Sequence, residues 1–106
     1  MKIYLACPYS HNNPEVELTR FRAANKVAAD IMCQGHVVFS PISHSHSIHI
    51  QCSLPGNWEF WLKQDTAFIE WCDEVWVMKL DGWTTSKGIK KECEIARELG
   101  KIIRLI

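Results

Sequence analysis

Glu74-Val75-Trp76-Val77-Met78, followed by Asp81-Gly82-Trp83-Thr84-Thr85-Ser86-Lys87-Gly88-Ile89-Lys90-Lys91-Glu92, is the stretch that decides the fold of this chain. The first run is short, apolar and β-branched in part, as a strand buried on both faces must be. A polar loop with a glycine follows, and then a helix that carries Glu92 one turn in from its start. The loop therefore falls at the carboxyl end of a strand, where open α/β sheets bind their ligands. A carboxylate so placed can face one.

Working outward, Lys2-Ile3-Tyr4-Leu5-Ala6 is a second buried-strand run, stopped by Pro8. Pro14 to Gln34 places Val16, Ala23, Ala24, Val27, Ala28, Ile31 and Met32 at spacings of three and four, with proline in the first turn and Gly35 just past the end. That pattern predicts an amphipathic helix with both its boundary signals. His36 to Ser40 is the next strand. Pro41 to Asn57, rich in serine and histidine and without clear period, is expected as a long loop, and such loops are more often functional or mobile than idle. Trp58 to Trp71 resumes helical spacing through Trp61, Leu62, Asp65, Phe68 and Ile69, so Asp65 shares a stripe with apolar residues. Asp73 to Lys79, Ser86 to Leu99 and Lys101 to Ile106 complete the series as strand, helix and strand. Strands alternating with helices imply an α/β fold, a parallel sheet wound by right-handed crossovers. No internal repeat or linker divides the 106 residues, which suit a single domain.

Composition narrows the function. Twelve basic and twelve acidic residues cancel, and the only basic group is Lys87, Lys90 and Lys91, so a nucleic-acid polymer is not the expected partner. A small anionic metabolite fits better. The five cysteines are scattered, with no CxxC pair, which argues against a disulfide framework or thiolate zinc and for a reducing, cytoplasmic setting. No apolar run is long enough for a membrane span or a signal core.

Asp65 and Glu92 form the first chemical candidate, with Tyr4 expected at the end of the first strand. Breaking an N-glycosidic bond passes through an oxocarbenium-like state, so one carboxylate can attack or stabilise the anomeric carbon while a second acid assists the departing base. The segment from Thr84 to Gly88 is the second: hydroxyls, a small residue and the unpaired amides of a helix N-terminus can seat a phosphate, although Ser86 can equally serve as a plain N-cap. No GxxxxGK[ST] string occurs, so a P-loop is absent. His44, His46 and His49 are the third; alternate residues of an extended segment share a face, and contact with substrate is preferred over a metal site. Cys7 stands where a Cys-x5-Arg phosphatase would carry its nucleophile, but Asn13 occupies the arginine position. Trp58, Trp61, Trp71 and Trp76 are expected in the core. Trp83, beside Gly82, is expected to be exposed, against a base or in a subunit contact.

These residues taken together resemble the nucleoside 2-deoxyribosyltransferase-like superfamily, in particular its small bacterial and phage branches and its nucleoside 5'-monophosphate N-glycosidases. The likeness covers nearly the whole chain. It is carried by Ile3-Tyr4-Leu5, by Asp65 eight residues before Asp73, and by Gly88-x-x-x-Glu92 running on to Gly100-Lys101. The resemblance implies a flavodoxin-like or Rossmann-like three-layer fold of four or five parallel strands. It further implies Glu92 as the attacking carboxylate, Asp65 as the assisting acid and Tyr4 as an active-site tyrosine. Ser86 stands where the transferases carry an aspartate and the monophosphate hydrolases a serine, which favours a nucleotide; Asp81, on a longer loop, is an alternative source of that carboxylate. Gly88, Trp83, Ser10, His44 and His46 are the further candidates for substrate contact. The turn at Tyr9-Ser10-His11 and the His44 to His49 segment depart from the family pattern and leave base and sugar open. No metal or organic cofactor is implied. The resemblance also implies a homodimer or higher oligomer. The expected activity is N-glycosidic hydrolysis of a (deoxy)nucleoside 5'-monophosphate. The alternatives are base exchange by a deoxyribosyltransferase and a non-catalytic nucleotide-binding module.

Overall fold

The structure, a computed structural model, describes residues 1–106. Four strands, β1 (Lys2–Ala6), β2 (Val37–Phe39), β3 (Glu74–Val77) and β4 (Ile102–Leu105), form one parallel sheet in the order β2-β1-β3-β4. The helices are α1 (Pro14–Cys33), α2 (Pro41–Cys52), α3 (Trp58–Trp71) and α4 (Lys87–Glu98), with a short 3-10 turn at Trp83–Thr85. The expected α/β architecture is therefore present. Its strand order reverses between β1 and β3, the kind of switch point beside which doubly wound sheets hold their ligands.

Alternation along β1 explains the layers. Ile3, Leu5 and Cys7 pack with Ala24, Ala28 and Ile31 of α1 on one face; Tyr4 and Ala6 pack with Ile69 and Cys72, at the end of α3, and with Ile89, Cys93 and Ala96 of α4 on the other. Val75 and Val77 of β3 join the second cluster, while Trp76 and Met78 turn to the first. Ile3, Leu5, Ile69, Val75 and Val77 are fully enclosed, and burial of each stabilises the fold by roughly 1.5–3 kcal/mol. Tyr4, placed near the end of the first strand by sequence, stands in its middle.

Helix ends follow their signals. Asn13 caps α1 by accepting from the Glu15 amide, Asn57 caps α3 by accepting from Phe60, and Ser86 caps α4 by accepting from Ile89. Lys101 extends its ammonium to the carbonyls of Glu70 and Cys72, satisfying the exit of α3.

Two expectations are corrected. The segment from Pro41 to Asn57 is not an irregular loop: its first twelve residues are α2, opened by Ser40, whose hydroxyl accepts from Ser43, and by Pro41 at the first helical position. The Ser-Pro pair is a helix-start signal that the serine and histidine content concealed. The tryptophans expected in the core are not enclosed in it either. Trp58 is 44% exposed and Trp61 half-buried, while Trp71 and Trp76 are half-buried and pack against the edges of the two clusters; Trp83, expected outside, is half-buried against the α3/α4 cluster in the same way. Indole rings are too large to be enclosed easily in a small domain, and valine, isoleucine and cysteine do that work here. No helix is long and apolar enough to cross a membrane.

Candidate active site

At the carboxyl edge of the sheet lies a cleft of about 720 Å3, within the roughly 300–1,000 Å3 usual for small-molecule sites. The loops after β1 and β3, the wall of α2 and the amino-terminal halves of α3 and α4 enclose it.

Asp65, from α3, and Glu92, from α4, both line this cleft, although 27 residues and a strand separate them in sequence. Glu92 stands on the inward stripe of α4 with Ile89, Cys93 and Ala96, so the same spacing that buries the helix buries the carboxylate; it is 7% exposed. The Tyr4 hydroxyl, rising from the fully buried middle of β1, donates to Glu92 Oε2. Burial, and then the neighbouring Asp65, push the Glu92 carboxyl up to about 8, and the bond from Tyr4 offsets only part of this. Burial likewise lifts Asp65 to about 6, again against a lowering by Tyr4. Tyr4 itself is held well above its ordinary value by burial, then by Glu92 and Asp65, and so remains a proton donor. Desolvation dominates all three groups. Asp65 therefore ionises before Glu92, and near neutral pH the pair carries one negative charge.

The start of α4 forms the adjacent wall. Ser86 and Gly88 line the cleft beside Lys87 and Lys91. Ser86 Oγ accepts from the Ile89 amide at 3.2 Å, which is the capping role, and its own proton remains free for a second partner. A methyl group added at Gly88 would meet nothing nearer than Ser86 Oγ at 3.8 Å. Packing within the chain therefore does not demand glycine there, although glycine in a helix costs about 1 kcal/mol relative to alanine.

On the opposite side, His46 lines the cleft with its Nδ1 2.6 Å from the Tyr9 hydroxyl and its ring stacked on Phe21 at 4.2 Å between centroids. Ser10 lies on the rim nearby. His44 does not reach the cleft: it is exposed, with its ring 5.4 Å from that of Phe39. Residues two apart share a face in an extended chain, but in a helix they lie about 200° apart. The helix thus separates His44 from His46 and instead aligns Ile42, Ser45, His46 and His49 along the cleft. No three His, Cys, Asp or Glu side chains converge as a metal site would require. Asp81 and Trp83 are also absent from the lining; Asp81 is exposed, and Trp83 is half-buried against the α3/α4 cluster.

The lining also holds Arg20 and Asn57, which no sequence motif singled out, His49 of the histidine group, and the tryptophans Trp58 and Trp61 that were expected inside. His49 keeps a buried Nδ1 with no hydrogen-bond partner. The spacing 42, 45, 46, 49 was the available signal for the α2 face, had the segment been read as a helix.

Residues 1–106 match the family described as "Domain of unknown function (DUF1937)", and the chain belongs to that family. In structure it is similar to a 2-deoxyribosyltransferase from the psychrotolerant bacterium Bacillus psychrosaccharolyticus, characterised as a biocatalyst for the synthesis of antiviral and antitumoral nucleosides. The TM-score is 0.67 at 26% sequence identity, over 99% of this chain and 71% of that one. This likeness supports membership of the nucleoside 2-deoxyribosyltransferase-like superfamily. No curated protein matches the sequence.

Proposed function

We propose that the protein is a glycosyl-transfer enzyme that hydrolyses the N-glycosidic bond of a nucleoside 5'-monophosphate, with Glu92 as nucleophile. The observation that carries this reading is a buried carboxyl lining the cleft, held by the Tyr4 hydroxyl, with a second acid, Asp65, on the same cleft; burial raises both, Glu92 the more. One carboxylate and one carboxylic acid are what the two halves of the reaction need. At rest, burial leaves the proton with Glu92, the more enclosed of the two. A sugar developing positive charge beside Glu92 stabilises its anion, and the proton passes to Asp65.

Glu92 then attacks the anomeric carbon; its Oε–C1' bond forms as the bond from C1' to the base nitrogen breaks, and Asp65 delivers its proton to the leaving base. Water attacks C1' in the second step, Asp65 recovers a proton from it, and Glu92 leaves as carboxylate. Tyr4 holds the Glu92 carboxyl by its hydrogen bond throughout. The 5'-phosphate sits at the start of α4, on the Ser86 hydroxyl and the amides around Gly88, with Lys87 supplying charge. Support for a nucleotide comes from Gly88, whose missing side chain leaves the helix start open to close approach.

The structural neighbour is a transferase, and that favours a second reading, in which an acceptor base replaces water in the second step. Chromatography of nucleoside monophosphates incubated with the protein, with and without a free acceptor base, separates the two. Free base expected without acceptor identifies hydrolysis; product only with acceptor identifies base exchange. Release of neither, together with nucleotide binding that survives Glu92→Ala, refutes both and leaves a binding module.

A further inference from the structure

Arg20 has a use that neither the acid pair nor the phosphate seat accounts for. It projects from the second turn of α1 and lines the cleft. Its Nη1 donates to the carbonyls of Tyr9 at 3.3 Å and Ser10 at 3.2 Å, and its Nη2 donates to the carbonyl of Asp81 at 3.2 Å. Tyr9 and Ser10 belong to the loop after β1; Asp81 belongs to the loop after β3. One guanidinium therefore bridges the loops on either side of the switch point.

Gly82 lies directly against this contact. Its φ is +92°, a conformation L side chains rarely adopt, and a Cβ there would lie 2.6 Å from Arg20 Nη2. Neither ion pair of the molecule involves Arg20. Its partners are neutral carbonyls, which satisfy donors in a forked geometry that lysine does not reproduce. The catalytic acids hold their own places from α3 and α4, so what the bridge governs is the separation of the two loops.

We infer that Arg20 is a positioning residue, a latch that holds the loops after β1 and β3 at the spacing a ligand requires. The latch is independent of the reaction; its effect on substrate use rests on the function proposed above. Hydrogen exchange followed by mass spectrometry on Arg20→Met and Arg20→Lys tests it. Amides in residues 9–12 and 81–85 are expected to exchange about tenfold faster in both variants, those of the β1 and β3 core staying unchanged, because a local opening rather than global unfolding is relieved. KM for the nucleoside monophosphate should rise by a similar factor, with kcat and its pH limits held. Unchanged exchange in both loops overturns the latch, as does a uniform increase across the whole chain in both variants. Faster loop exchange in a protein that releases no base from any nucleotide sustains the latch and removes the proposed reaction instead.

Discussion

The two walls of the cleft were built by opposite means. On the α4 side, Ile89, Cys93 and Ala96 drive a strongly amphipathic helix into the sheet and carry Glu92 in with them. On the α2 side only Pro41 of the helix is buried, and the wall is held by polar and aromatic contacts such as the Tyr9–His46 bond and the Phe21 stack. The first wall is placed by packing; the second by a few specific contacts. A carboxylate whose ionised form costs several kcal/mol to bury belongs on the first, and side chains that need only shape a pocket can stand on the second.

The most severe break in that contrast is Glu92→Gln. If Glu92 is the nucleophile, as proposed, the substitution should lower base release by at least about a thousand-fold, read in single-turnover assays. Stability should move the other way. In the folded protein the Glu92 carboxyl lies at about 8 against an ordinary 4.5, so the native state binds the proton more tightly than the unfolded chain. The stability this contributes is complete below about pH 4.5 and is lost as pH rises through about 8. Glutamine keeps an acceptor for Tyr4 and carries no charge, so chemical denaturation at pH 9 should show a gain on the order of 3 kcal/mol, shrinking toward zero at pH 4. A variant no more stable than the parent at pH 9 would show that Glu92 is not desolvated.

Activity should next trace a bell, rising through about pH 6 as the first carboxyl ionises and falling through about pH 8 as the second does. Tyr4→Phe removes a donor that lowers Glu92, so the upper limb should move to higher pH while the rate falls about tenfold to a hundredfold. An upper limb that stays in place would dissociate Tyr4 from the titration.

Smaller effects are expected on the α2 wall. His46→Ala should raise KM several-fold and cost about 1 kcal/mol by stranding the Tyr9 hydroxyl. His44→Ala should change KM less than about twofold, since its ring rests on Phe39 outside the cleft. Equal sensitivity at the two histidines would mean that α2 does not hold its helical register.

Much of this arrangement could be read in the chain. The run Glu74 to Met78, the glycine-bearing loop and Glu92 one turn into its helix place an acid at the ligand-binding edge of a parallel sheet, and the α1 and α3 periodicities place the layers. What escaped was α2, because its apolar residues make no continuous stripe and serine and histidine are weak helix formers. With it went the distinction between His44 and His46, a matter of one dihedral pattern against another.

Strand length, helical period and capping residues are local properties, so sequence alone determined the order of the four strands and of α1, α3 and α4, the parallel sheet and the candidacy of Asp65 and Glu92. That Tyr4 meets Glu92 across 88 residues, that Arg20 spans two loops and that Asp81 and Trp83 lie off the cleft were decided only in three dimensions. Those contacts depend on which strands become neighbours and on how much water is left between them, quantities that no single segment carries.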